Sequence, residues 1–372
     1  MAVQNLETPA ETQKRHRPIN DVDVHPTIVG GMDALLPYMP KVWQEKIRPS
    51  GGPLRPGVGS RYLHPVDPPV MRDAVPPGGG AAGSDPVFLA ADHLDKYNVQ
   101  NGLLIEIVSS TLACAAADPD HSAVVVSACN DYLLERWQND KRLTLAMTVS
   151  PLDPQLAVKE IRRHGKNPFV SSVFLPIHNI RLGNRHYYPI YEAAIEHGLN
   201  IVLHPGAGES MFQGATVFAC GMAERYIERY VEWGQIPWSC MSSLIFNGAM
   251  DRYPELKFMW VEWGFAWAVP MMWRMDKSWR GLRADCPWVK TWPSEYVHDR
   301  FFFSTQPIDE PHVREHLDRM IEDYFADNLC FASDYPHWDH DRPDMVLKSL
   351  KTATQQKIYQ ENALRFLRLP KA

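Results

Sequence analysis

Asp21-Val22-Asp23-Val24-His25-Pro26 alternates two carboxylates and an imidazole with valines. Alternation with β-branched residues predicts a strand. Residues two apart in a strand point to one side, which would place Asp21, Asp23 and His25 on one face and Val22 and Val24 on the other. Inward-facing carboxylate and imidazole groups at a strand end are costly unless compensated. A divalent metal ion is a compensation that takes these donors. Alone, the stretch reads equally well as a strand edge whose acids face water, so the remaining strands have to decide.

Seven further strand-like runs follow, at 102–108, 143–149, 169–177, 200–204, 256–262, 300–305 and 328–333. Helical segments separate nearly all of them, at 88–97, 121–136, 154–164, 188–197, 217–233, 239–250, 265–279 and 310–324, and helices at 344–350 and 354–366 close the chain. Apolar strands alternating with amphipathic helices mean a parallel sheet covered by helices. Eight such units fit an α/β fold of the (β/α)8 TIM barrel type better than an open doubly wound sheet. No GxGxxG follows the first strand, which weakens a dinucleotide-binding alternative. A proline- and glycine-rich insertion occupies about residues 30–86 after strand one, residues 1–17 read as a disordered arm, and 18–372 read as a single domain.

The chain has 372 residues, 45% of them hydrophobic, enough for a sizeable core. A net charge of −6 offers no basic footprint for nucleic acid. No apolar run reaches membrane-spanning length, and the polar N-terminus lacks the apolar stretch of a secretory signal. The six cysteines form no CxxC pair and no disulfide framework, which fits a reducing, cytoplasmic setting.

In such a barrel the chemistry sits at the C-terminal ends of the strands. Polar, metal-capable residues recur there: Asp23 and His25 after strand one, His178 after strand four, His204 after five, Glu262 after six, and Asp334 and His337 after eight. Each has a plainer reading. His204 could be a turn histidine before Pro205-Gly206, and Asp334 could be a helix cap. His178 and His337 read equally well as pocket or loop histidines. Glu262 lies among tryptophans, where burial would raise its pKa and leave either an acid/base group or a structural anchor.

Several segments then carry a resemblance: Asp23-Val24-His25, His204-Pro205-Gly206, Val261-Glu262-Trp263-Gly264 with Trp267 and Arg274-Met275-Asp276, and Ala332-Ser333-Asp334-Tyr335-Pro336-His337. In this order the chain resembles the amidohydrolase-related family, in the branch of aminocarboxymuconate-semialdehyde decarboxylase and γ-resorcylate decarboxylase. The resemblance implies a distorted barrel with one divalent metal ion, zinc or manganese, held by Asp23, His25, His204 and Asp334. Two positions depart from the family pattern. The first ligand, often histidine, is Asp23, which leans the site from zinc toward manganese. The strand-six position, often a catalytic histidine, is Glu262.

The expected activity is non-oxidative decarboxylation of a small aromatic or unsaturated carboxylate, with Glu262 and Asp334 as the catalytic groups. The alternative is hydrolysis of a C–N, C–O or activated C–C bond by a metal-bound water. Trp263, Trp267 and Tyr62 would form an aromatic wall, and Arg61 or Arg274 would pair with a substrate carboxylate. Dimers are usual in the resembled enzymes, which implies a homodimer.

Overall fold

The structure, a computed structural model, describes residues 17–47, 66, 69–206 and 223–370. The expected arm lies outside the described residues apart from Arg17. The eight strands are β1 Ile19–Val24, β2 Val99–Leu104, β3 Leu143–Thr148, β4 Val170–Phe174, β5 Asn200–Leu203, β6 Phe258–Trp260, β7 Phe301–Ser304 and β8 Leu329–Cys330. All pair in parallel in sequence order. Residues beyond β8 close the ring onto β1, through Val22 N–H to Phe331 O at 3.0 Å, Asp334 N–H to Asp23 O at 3.1 Å and His25 N–H to Tyr335 O at 2.7 Å. This is the expected (β/α)8 barrel.

Alternation along the strands builds two cores. Val22, Leu103, Ile105, Ala146, Phe174, Val202, Met259, Val261, Phe302, Cys330 and Ala332 fill the barrel interior. Their alternates, such as Val24, Leu104, Leu145, Trp260 and Phe303, face the helices. Val22 and Val24 thus fall on opposite sides of the barrel wall, which strict alternation forbids. The cause is a register shift between Asp21 and Val24, where β1 spends three residues against two of β2. The shift separates Asp21 from Asp23, so the two do not share a face.

Two element boundaries differ from expectation. The second strand begins at Val99, earlier than the apolar run at 102, and Ile107–Ala115 is a helix. Glu106 caps it, accepting the backbone N–H of Val108 at 3.0 Å and of Ser109 at 2.6 Å, so the apolar pair after it turns into the first helical turn. Residues 344–350 form turns instead of a helix.

Short helices at Gly31–Leu35 and Lys41–Ile47 occupy part of the insertion. Its far end is tied to the barrel mouth by Met71 N–H to Pro336 O at 2.9 Å and by an antiparallel bridge between Val70 and His337. No helix among the described residues is long and apolar enough to cross a membrane.

The loop after β1 is pinned by Thr27 N–H to Gly83 O at 2.8 Å. Gly83 has φ 73°, and a Cβ there would lie 2.4 Å from the His25 carbonyl oxygen. Both the backbone conformation and the contact demand glycine. Gly83→Ala should destabilise the fold by more than ~1 kcal/mol, read as a lower urea midpoint; an unchanged midpoint would show that this contact does not constrain the loop.

Candidate metal centre

Asp23, His25 and His204 meet at the C-terminal mouth of the barrel, with one ligating atom from each within 4.8 Å of the others. All three are at most 4% exposed. The imidazoles are oriented by backbone carbonyls. His25 Nδ1–H donates to Ile105 O at 2.8 Å, and His204 Nδ1–H donates to Pro205 O at 2.6 Å. That tautomer leaves each Nε2 as a lone pair.

The lone pairs face carboxylates. His25 Nε2 lies 3.0 Å from Asp23 Oδ1 and 2.8 Å from Asp334 Oδ1, and His204 Nε2 lies 3.0 Å from Glu262 Oε2 and 3.5 Å from Asp23 Oδ1. Neither Nε2 nor either Asp23 oxygen has a hydrogen-bond partner, although all are buried. Buried polar atoms are otherwise nearly always paired. Four orphaned donors of metal-ligand type converging on one point fit a divalent ion. The field agrees: burial opposes charge on both imidazoles, but the facing carboxylates raise His204 to about 10 and His25 well above the ordinary range. A site that pulls protons onto two histidines is short of positive charge.

Backbone conformation aims the remaining acids. Glu262 has φ 62° and Asp334 has φ 60°. Non-glycine residues enter this region rarely and at a cost, which functional sites tolerate. Along β6, Met259 and Val261 point inward, so simple alternation would turn Glu262 outward with Trp260. The left-handed turn instead brings its carboxylate to His204, with its N–H bonded to Ser304 Oγ at 2.9 Å. Asp334 Oδ1 accepts from His337 Nδ1 at 2.6 Å and Oδ2 accepts from Gln306 Nε2 at 3.2 Å.

The two acids differ electrically. Burial raises both, but His337 and His25 hold Asp334 well below the usual carboxylate range. Glu262 is pushed up to about 7 by burial and by the charge of Asp334, with His204 opposing.

The other expected site residues divide. His337 joins the cluster and stacks on His25 at 4.3 Å between ring centroids. His178 is half-buried beside Asn179 and His186 and belongs to none of the metal-capable groups among the described residues. Trp263 and Trp267 do not form a wall over the site. Trp263 packs in the outer core, its indole N–H donating to Leu203 O at 3.0 Å, and Trp267 packs on that core, donating to Trp263 O and Gly264 O. Arg274 is exposed on the outer helix Ala268–Leu282 and does not line the buried cluster. Arg61 and Tyr62 lie outside the described residues.

The sequence places Asp21 below the site as support and Gln306 at the end of strand seven, but it gives no role to Gln306 or Asp339 and does not show that His93 is the partner of Asp21. Asp21 sits outside the cluster, 2.7 Å from His93 Nε2, both fully buried, and its other oxygen accepts the N–H groups of Asp23 at 3.1 Å and Ser333 at 3.0 Å. It supports both ligand-bearing strand ends from beneath. Only the acid-rich run Asp339-His340-Asp341 after strand eight signalled Asp339.

The amidohydrolase family model matches residues 103–369. The chain belongs to the amidohydrolase family. Solved structures of this family's fold superpose along nearly the whole chain. An amidohydrolase of Mycobacterium avium subsp. paratuberculosis K-10 is 20% identical with a TM-score of 0.69, covering 95% of this chain and 98% of its own. A 5-carboxyvanillate decarboxylase of Sphingomonas paucimobilis is 19% identical with a TM-score of 0.65, covering 95% and 99%. A dihydroxybenzoic acid decarboxylase of Polaromonas sp. JS666, solved with manganese and 2-nitroresorcinol, is 19% identical with a TM-score of 0.63, covering 95% and 98%. No curated protein matches the sequence.

Ligand protons compete with metal. Because the field raises both histidines, Mn²⁺ affinity should rise steadily between about pH 6 and pH 9 as the imidazoles give up protons. Isothermal titration across that range checks the sign. His204→Ala should lose most of the affinity, and a pH-independent constant would contradict the ligand assignment.

Proposed function

We propose that this amidohydrolase is a metal-dependent decarboxylase of a small aromatic or unsaturated carboxylate. The observation that carries the reading is the set of orphaned, inward-facing donors of Asp23, His25 and His204 beside Asp334. They would hold one divalent ion, zinc or manganese. Two imidazoles with carboxylates suit either, and the Polaromonas decarboxylase of like fold holds manganese. Bound there, the ion supplies Lewis-acid charge that orients and polarises substrate oxygens.

Decarboxylation breaks the bond to the carboxyl carbon, leaves the electron pair on the substrate carbon and requires a proton there. The environments assign the parts. Asp334, held ionised by His337 and His25, is fitted to ligate and not to donate. Glu262, buried and beside the negative Asp334, keeps its proton to a higher pH and is placed to deliver it. His337 fixes Asp334 through the 2.6 Å bond and stacks over His25, holding two ligands at once. The insertion closes part of the mouth, supported by its bridge from Val70 to His337. We read residues 18–372 as one catalytic unit on that basis. Arg61 and Tyr62, in the insertion, remain our candidates for substrate contacts, with His178 at the rim.

A cytoplasmic, homodimeric enzyme is part of the same reading. The five described cysteines are buried outside any disulfide, and Trp273, Trp288 and Trp292 leave exposed aromatic surface.

The test is a panel of hydroxybenzoates and related aromatic acids with the Mn²⁺-loaded protein, read as released CO2. Glu262→Gln should lower kcat by about 10²–10⁴ with KM little changed. Turnover of esters, lactones or amides with none on carboxylic acids would replace this reading with metal-assisted hydrolysis.

A further inference from the structure

A cleft of about 610 Å³, lined by none of the metal-centre residues, lies where the insertion meets the outer helix Pro119–Trp137. That size suits a small molecule. Its walls are apolar and aromatic. Val29, Pro37 and Pro86 line it, with the rings of Tyr38 and Tyr132 set edge to face at 6.0 Å between centroids. Val29 is 45% exposed, an apolar side chain left open beside the cleft.

The polar groups here divide into committed acids and uncommitted donors. Glu135, next to Arg136, accepts the Tyr38 hydroxyl at 2.8 Å. Asp85 caps the helix that starts at Pro86, accepting the N–H groups of Val87 at 2.8 Å and Phe88 at 3.2 Å. The donors have no such engagement. Arg136 lies over the Tyr132 ring at 5.2 Å and pairs with no carboxylate among the described residues. Tyr132 is 4% exposed; its oxygen accepts the Val29 N–H at 3.3 Å, and its own hydroxyl proton has no acceptor among the described residues. A buried donor without an acceptor is uncommon, and this one belongs to a side chain of the cleft wall. A guanidinium and a hydroxyl, both donors, call for an anionic acceptor such as a carboxylate. The two rings and the apolar wall call for a flat, apolar body behind it.

We propose that this cleft is a second small-molecule site, for an aromatic carboxylate, with Arg136 and the Tyr132 hydroxyl holding the carboxylate and Tyr38 packing on the ring. The occupant braces the loop that carries His25. Val29 follows His25 on that loop, and Thr27 between them is bonded to Gly83 O at 2.8 Å and to Ala82 O at 2.7 Å. The inference uses neither the metal ligands nor the decarboxylase reading.

Isothermal titration of benzoate into the full-length, chelator-stripped protein tests it, because without a metal ion the carboxylates of the barrel mouth repel the probe. One equivalent per chain is expected. Benzamide, which keeps the ring without the charge, and acetate, which keeps the charge without the ring, should each bind about tenfold or more weakly. Arg136→Gln should weaken benzoate by a similar factor, with Mn²⁺ binding retained as the sign that the variant is folded. Benzoate that fails to bind the stripped protein overturns the proposal. So does benzamide that binds as tightly as benzoate, or an Arg136→Gln variant that binds benzoate as tightly as the unaltered chain.

Discussion

The site depends on two hydrogen bonds that never touch a ligand. Ile105 O and Pro205 O each accept an imidazole Nδ1–H, and this choice of tautomer makes Nε2 of His25 and His204 a donor of electrons and not of protons. Without metal the facing carboxylates at 2.8–3.0 Å draw a second proton onto each imidazole, at Nε2, and an ion bound there takes that proton's place. Both acceptors are main-chain groups of strand ends, so the barrel itself sets the chemistry. Ile105 belongs to the interior core, and its position is fixed by packing.

The backbone adds three departures from regular strand geometry, all at the mouth. The shift in β1 turns Asp21 away to His93 and frees Asp23 for the interior. The left-handed residues Glu262 and Asp334 re-aim the ends of β6 and β8. Each departure is costly in isolation. Each is held by specific bonds, Ser304 Oγ to the Glu262 N–H and Asp21 Oδ1 to the N–H groups of Asp23 and Ser333. Asp21 thus does structural work at two strand ends from a fully buried position, paired with His93 at 2.7 Å, and removing either partner would leave the other without its bond in the core.

The alternation of apolar runs with helical segments made the barrel legible, and the rule that chemistry gathers at strand ends brought Asp23, His25, His204, Glu262 and Asp334 to one place before any coordinates. That worked because each follows directly on a buried run, a local pattern. What stayed hidden was non-local. Trp263 and Trp267 have the composition of a pocket wall, but the turn at Glu262 swings the following residues into the outer core. Arg274 sits on the solvent face of its helix, which charge alone does not reveal. Glu106 reads as part of an apolar strand, yet its carboxylate caps the next helix. Gln306 and Asp339 acquire meaning only through Asp334, which lies far from Gln306 in sequence.

A carboxylate at the end of β6, where the resembled enzymes often carry histidine, changes the electrostatic problem. An imidazole there would share the field with His204 and add no negative charge. Glu262 adds one, and Asp334 responds by pushing it up while His337 and His25 keep Asp334 low. The two acids are thereby driven apart in proton affinity, which is what lets neighbouring carboxyls take different roles. The same repulsion reaches Asp339, raised to about 6 by burial and by Asp334. Asp334 and Glu262 both reach the histidines, at 2.8 Å to His25 and 3.0 Å to His204, and both belong to one carboxylate group with Asp339, so the charge that His337 and His25 hold on Asp334 is what, beside burial, raises the other two acids.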